Sequence, residues 1–265
     1  MRCEQLELFP LNEVKTEQTN EVSLRCCHNA DCFDVLPTLP DDSVDVVITD
    51  PPYNMTACSW DKSFDVKLWW SEIKRVCKKD ANIVVFSKQP FTTLVNSSNL
   101  PMFKYELIWC KQQATNPMCA KKRIMPIHEN ISVFYDKLGT YNPQMTYGHK
   151  NYKGGFEENG RVGNVYYANK SYRKGCTDGS RYPTSVLYYN NVRNAVHPTQ
   201  KPVDLLEFLV KTYSNEGDVV LDPFMGSGSC GVACANTGRG FIGVEKDVKY
   251  FNVANGRLKN EVKSS

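Results

Sequence analysis

The run Val44-Asp45-Val46-Val47-Ile48-Thr49 is stopped by Asp50-Pro51-Pro52-Tyr53, and few folds accommodate such a stop. A β-branched, apolar stretch of this length reads as a strand buried on both faces of a parallel sheet. Two consecutive prolines end it, because neither donates to a ladder and both fix φ. A carboxylate, two rigid carbonyl-bearing residues and an aromatic ring are thereby set at the carboxyl edge of the sheet, where open α/β folds bind their ligands. Taken alone, the same residues also fit a tight strand exit with Tyr53 packed locally.

A second stretch changes the balance. Asp218 to Leu221 reads as another buried strand, ending at Asp222 and followed by Pro223-Phe224-Met225-Gly226-Ser227-Gly228-Ser229. The glycines let the backbone turn sharply and approach a ligand with no Cβ in the way, before a helix that runs through Ala235. The spacing is not Gly-x-Gly-x-x-Gly and no phosphate-binding lysine follows, so NAD and ATP are poorly supported. Phe241-Ile242-Gly243-Val244-Glu245 is the next strand, and a carboxylate at its end suits a ribose diol, since ionised Glu245 accepts from both hydroxyls.

Together the two stretches resemble the S-adenosylmethionine-dependent amino-methyltransferases of DNA, in which Asp-Pro-Pro-Tyr is the catalytic signature. The catalytic stretch precedes the glycine-rich one, which is similar to the circularly permuted beta group, adenine-specific type. The resemblance covers roughly residues 25 to 136 and 195 to 260. It implies a Rossmann-like α/β class I methyltransferase fold, mostly parallel, with one antiparallel strand near the sheet edge. It also implies S-adenosylmethionine as cofactor. Asp222, Phe224, Gly226, Gly228 and Glu245 are its candidate binding residues, and Asp31 would contact its adenine, although Asp31 is equally a helix N-cap by chemistry. Within His197-Pro198-Thr199-Gln200-Lys201-Pro202, Thr199 and Lys201 are candidates for its methionine carboxylate; the bland reading is a loop-to-helix entry.

The chain divides into a flexible arm (1–20), a catalytic half (21–136), an insertion (137–195) and a donor-binding half (196–265). Hydrophobic periodicity predicts a strand from Val22 and a short helix over Cys32 to Leu36. A polar loop over 54–63, holding Trp60 and Asp61, precedes helices over Phe64 to Cys77 and Pro90 to Ser97. Further strands are expected at Ile83 to Phe86, Tyr105 to Trp109 and Ile131 to Tyr135, with helices over Val203 to Tyr213 and Asp247 to Leu258. At 265 residues, one domain with an insertion can bury a full core. Eleven cysteines without a Cys-x-x-Cys, and four scattered histidines, give no metal site and suit reduced thiols in a cytosolic protein; the resemblance implies the cytoplasm of a bacterial or phage-infected cell. No apolar run reaches the length of a membrane span and no signal peptide opens the chain.

A net charge of +3 does not imply nucleic acid, but its distribution is uneven. Residues 137–195 carry nine basic against three acidic side chains, interleaved with nine tyrosines. Lys150, Lys153, Arg161, Arg173, Lys174 and Arg181 are candidates for phosphate, with Tyr and Asn available to bases. A solvated loop is the alternative, and the resemblance places the target-recognition region of the family here. The segment Lys111 to Asn130 corresponds to the family's wall of the target-base pocket, and its triplet Lys121-Lys122-Arg123 either faces phosphate or is a solvated charge run. His128 reads as a structural hydrogen-bonding residue.

The implied reaction is methyl transfer to the exocyclic amine (N6) of an adenine flipped from duplex DNA. Asp50 and the Pro51 carbonyl would hold the amine, and Tyr53 would stack on the base. Methylation of cytosine N4 is the alternative chemistry, although family members of that kind more often carry Ser in place of Asp50; RNA and protein-amide methyltransferases share related signatures. A different class, an inactive DNA-binding module on the same fold, is disfavoured because Asp50, Tyr53, Asp222, Gly226, Gly228 and Glu245 are all present. Members of this group are often dimers, which makes a homodimer one assembly the resemblance allows, with no interface identified by the residues. In the arm, Gln5-Leu6-Glu7-Leu8-Phe9 resembles the peptide with which bacterial replication proteins dock on the sliding clamp, or else packs back on the enzyme as an edge strand.

Overall fold

The computed structural model describes residues 25–53, 64–115, 117–151, 155–156, 172–173, 177–193 and 195–262. The arm with Gln5 to Phe9, the loop at 54–63, and Lys153, Arg161 and Lys174 lie outside the described residues, and of Arg173 only the backbone is described.

In chain order the elements are β1 (Arg25–His28), α1 (Cys32–Val35), β2 (Val44–Thr49), α2 (Val66–Val76), β3 (Cys77–Ser87), α3 (Phe91–Ser98), β4 (Phe103–Cys110), β5 (His128–Phe134), β6 (Gly155–Phe156), β7 (Tyr172–Arg173), β8 (Val186–Tyr188), α4 (Val203–Tyr213), β9 (Val219–Asp222), α5 (Ser229–Asn236), β10 (Gly240–Val244) and α6 (Val248–Val262). Eight strands form one sheet in the order β1-β10-β9-β2-β3-β5-β4-β8, while β6 and β7 pair separately. Every pairing in the large sheet is parallel except those of β5, which runs against both β3 and β4. The expected antiparallel strand is therefore present, third from the edge. Among the described residues no helix is long and apolar enough to cross a membrane.

Alternation along the central strands explains why both sheet faces are covered. Val46 and Ile48 of β2, with Val84 and Phe86 of β3, pack among Leu205 and Leu209 of α4, Cys230 and Ala233 of α5, and Ala254 of α6. Val47, Ile83 and Val85 point the other way, onto Trp69, Trp70 and Ile73 of α2. The α2 helix starts where Asp65 accepts hydrogen bonds from the backbone N–H groups of Lys67 (2.9 Å) and Leu68 (3.0 Å), satisfying two donors that have no partner in the helix. Two strands run longer than their apolar segments. β3 begins at Cys77 rather than Ile83, through exposed Lys78, Lys79 and Asp80, and β5 begins at His128 rather than Ile131.

The halves of the chain meet where β2 lies beside β9, Val46 opposite Val220 and Val47 opposite Leu221. The strand order runs one way from β2 and the other way from β9, so this is the switch point outside which a crevice opens. The join is closed by a hydrogen bond from the Thr49 hydroxyl to Asp222 Oδ1 (2.8 Å), and that oxygen also accepts from the Phe224 N–H (3.1 Å). After β9 the chain turns through Gly226 and Gly228, both at positive φ (53° and 73°). A Cβ on Gly228 would come within 2.9 Å of Ala254 Cβ, so the turn needs glycine for both its conformation and its approach to α6.

Two stability predictions follow from this junction. Gly228→Ala combines a strained φ with a clash and is expected to destabilise by about 1–3 kcal/mol, read as a lower urea midpoint; an unchanged midpoint contradicts the packing described. Burial raises the Asp222 carboxyl to about 7, against the opposing pull of the Thr49 hydrogen bond. A carboxyl raised in the fold binds its proton more tightly there than in the unfolded chain. Its contribution to stability is thus complete below about pH 4 and lost as pH rises towards 7. Asp222→Asn can keep both hydrogen bonds without the buried charge, so the variant should gain on the wild type by on the order of 3–4 kcal/mol between pH 4 and pH 8. Parallel stability curves, measured by denaturant unfolding without ligands, would refute this.

Candidate active site

The carboxyl ends of β2, β9 and β10 open on a cavity of about 520 Å³. Asp50 and Pro52 line it from the β2 side; Asp222, Phe224 and Gly226 from the turn after β9; Glu245 from the end of β10; Asp31 from the start of α1; Thr199 and Lys201 from the segment before α4. Its volume falls in the range of small-molecule cofactor sites. Pro51, Tyr53 and Gly228 are not part of the wall. Pro51 is buried, and Gly228 packs on α6.

Backbone N–H groups orient Glu245: Gly226 donates to Oε2 (2.9 Å) and Asp247 to Oε1 (2.7 Å). Burial raises its carboxyl while these two bonds work the other way. Each oxygen retains acceptor capacity for a ligand hydroxyl. The glycine turn is braced from α6 by Arg257, which donates to the Ser227 carbonyl (2.6 Å) and the Ser229 hydroxyl (3.0 Å). Asp31 fulfils the capping role, accepting from the Phe33 N–H (3.1 Å), and also pairs with Lys246 (2.8 Å) while facing the cavity. The Thr199 hydroxyl lies 3.1 Å from His197 Nδ1. Burial lowers His197 to about 4, so the ring is neutral at physiological pH.

Around Asp50 the structure adds residues that sequence reasoning did not single out. The Tyr53 hydroxyl donates to Asp50 Oδ1, and the Lys201 ammonium donates to Oδ2. Lys201 is buried, and its ammonium also lies 3.3 Å from Glu129 Oε2 and 5.1 Å above the Phe86 ring. Glu129 in turn pairs with Lys111 at the end of β4. Burial opposes ionisation of Glu129, yet Lys201 and Lys111 bring it to about 2. Lys201 is likewise disfavoured by burial but raised overall by Asp50 and Glu129. For Asp50 burial prevails and the carboxyl is raised, although Lys201 pulls it down. The only trace of Glu129 in the sequence is a polar His-Glu-Asn before an apolar run, and it becomes readable once β5 is known to include those residues. Phe64 was also missed: it continues a row of rings from Tyr53 through Phe91 to Phe224, at centroid separations of 5.1, 6.3 and 5.3 Å.

The basic candidates are more dispersed. Lys121, Lys122 and Arg123 are exposed between β4 and β5, and Lys150 is exposed after β5. Arg181 is half-buried and bridges backbone to Thr146; its guanidinium donates to the carbonyls of Ser180 (2.6 Å) and Lys150, so it holds two loops together.

A family model described as DNA methylase matches residues 44–256. Type II methyltransferase M.HpaI of Haemophilus parainfluenzae is 29% identical over 249 residues, which cover 89% of this chain and 74% of that protein. The crystal structure of the M1.HpyAVI–SAM complex is similar with a TM-score of 0.61 and 25% identity, over 89% of this chain and all of that one (100%). PvuII DNA methyltransferase, described as cytosine-N4-specific, shares the fold with a TM-score of 0.61 at 16% identity, over 91% and 92% of the two chains. With the match running from β2, through the cavity's edge strands, into α6, this chain belongs to the N6/N4 DNA methylase family.

Proposed function

We infer that the chain transfers a methyl group from S-adenosylmethionine to the exocyclic amine, N6, of an adenine turned out of duplex DNA. The observation that carries this reading is Asp50 at the carboxyl edge of β2, beside a cavity whose walls suit that donor. Asp31, Asp50, Asp222, Glu245 and Asp247 surround the cavity with carboxyl groups, a favourable setting for a cationic sulfonium. Glu245 would take the ribose hydroxyls, Phe224 and Asp31 the adenine, and Thr199 the methionine end. Bound there, the donor supplies an electrophilic methyl group for direct displacement.

The chain's own residues would do the rest. An exocyclic amine is a poor nucleophile because its lone pair is delocalised into the ring. Hydrogen bonds from that amine to the Asp50 carboxylate and the Pro51 carbonyl favour a pyramidal nitrogen with an exposed lone pair, so positioning and electrostatics carry the acceleration. Tyr53, already stacked on Phe91 with an interplanar angle of 27°, offers a ring to replace the stacking that the base loses on leaving the duplex. Lys121, Lys122, Arg123 and Lys150 are exposed and suited to phosphate. Target recognition by residues 137–195 rests on their basic, tyrosine-rich composition. Clamp docking through Gln5 to Phe9 and a homodimer are supported by resemblance alone. Adenine is favoured over cytosine because the signature begins with Asp50 rather than Ser.

Asp50→Ala is expected to abolish tritiated methyl incorporation into DNA while the donor raises the melting temperature as in the wild type. Full activity in that variant would end the mechanism. Mass analysis of nucleosides from DNA methylated by the wild type should give N6-methyladenine; N4-methylcytosine would replace the base assignment while leaving the reaction class intact.

A further inference from the structure

Lys201 was expected near the methionine carboxylate of the donor, yet its buried ammonium donates to one carboxylate and lies 3.3 Å from a second on another strand. One is Asp50 at the end of β2; the other is Glu129 in β5, itself paired with Lys111 at the end of β4. Lys201 follows a segment fixed by the turn from Gln200 N–H to the His197 carbonyl (3.1 Å), and Pro202 directly precedes α4. Its ammonium therefore has little freedom to leave. Tyr53, by contrast, is only half-buried and caps the other oxygen of Asp50 from a loop.

We propose that Lys201 is the fixed counter-ion of Asp50, held in place by Glu129, and that it orients the carboxylate so that Oδ1, now covered by the Tyr53 hydroxyl, is the oxygen open to the target amine. The assignment deepens the amine-methylation reading and rests on it. Lys201 is thereby a positioning residue. Its part is to favour the ionised form of Asp50 against the opposing effect of burial, and to aim it.

The surroundings define what a titration must show. Facing Asp50 are Lys201, Glu129 and Tyr53, with Asp222 across the β2–β9 join. Facing Lys201 are Asp50, Glu129 and the neutral His197; Lys111 and Lys88 stand beyond Glu129. Removing the Lys201 charge leaves Asp50 buried among carboxyl groups, so its pKa must rise. Removing the Glu129 charge takes away a repulsion, so it must fall. A residue that merely held the fold together would not produce opposite shifts.

The test uses the full chain with carbon-13-labelled aspartate, with the Asp50 signal identified from Asp50→Asn and titrated without donor or DNA. Lys201→Met is expected to move the Asp50 midpoint up by at least about one pH unit, Glu129→Gln to move it down, and Lys201→Arg to leave it near the wild-type position. Single-turnover methyl transfer to DNA from a methylation-deficient bacterial host should follow the same order. Lys201→Met should lose on the order of 100-fold in rate, with its acid limb displaced upward, and Lys201→Arg should recover part of that loss. Donor affinity, measured by calorimetry, should change by less than about threefold in all three variants, a difference within 1 kcal/mol. If Lys201→Met leaves the Asp50 midpoint where it was, or if it mainly weakens donor binding, the proposal is wrong and Lys201 serves the donor instead. Should Lys201→Met fail to fold, the Lys201→Arg and Glu129→Gln titrations still decide it, since a Glu129→Gln midpoint that stays put or rises overturns it. A wild type that methylates no DNA would instead overturn the reaction assignment, and the carboxylate titration would still decide the counter-ion.

Discussion

The pairing of β2 with β9 is the contact on which the rest of this molecule depends. It joins residues far apart in sequence (Thr49 bonds to Asp222, separated by 173 positions), and both strands end at a carboxylate on the same sheet edge. Parallel pairing requires a long crossover, and here the crossover contains more than half of the chain. Buried β-branched side chains supply the affinity between the strands, while the Thr49–Asp222 bond satisfies polar atoms that would otherwise be stranded at the join. With that pairing in register, Asp50 and the Gly226–Gly228 turn face the same cavity.

Charge is managed within that frame by grouping. A single buried carboxylate is costly, but Asp50, Lys201, Glu129 and Lys111 alternate in sign across β2, the segment before α4, β5 and β4. Each group lowers the cost of its neighbour, and the array is drawn from parts of the chain that only the folded sheet brings together. Such fixed charges need no reorganisation when a substrate arrives, the condition under which electrostatic catalysis is effective. At one end of the aromatic row, Phe64 and Phe224 give the cavity an apolar wall.

Much of this was legible in the linear sequence because the central strands are short apolar runs ending in chemistry. Val44–Thr49, Val219–Asp222 and Gly240–Val244 are recognisable from β-branched residues and from the prolines or glycines that follow. Boundaries were lost where a strand continues through polar residues, since pairing and not hydrophobicity keeps it extended. Lys78 to Asp80 in β3 and His128 to Asn130 in β5 are of this kind. The second case concealed Glu129: a glutamate between His and Asn looks solvated until β3 and β4 close over it. Lys201 was legible as a site residue but not its partner, because Asp50 lies 151 positions away and no periodicity connects them. Arg181 looked like one more phosphate-seeking cation, and only the fold shows its donors turned towards neighbouring carbonyls.

The antiparallel strand β5 has a wider consequence. The chain leaves the sheet at Phe134 and rejoins it at Val186, and the strand between those two points, β4, is already in place. Exit lies opposite Phe103 and re-entry opposite Ile108, so the two are separated by two strand spacings across the sheet and five residues along β4, roughly 20 Å, whatever happens in between. Because the entropic cost of closing a loop grows only logarithmically with its length, that excursion can lengthen, shorten or be exchanged with little penalty to the sheet. The architecture thereby offers a socket: a constant reaction chamber with a replaceable attachment, whose two ends are clamped on either side of β4, the strand that leads into Lys111.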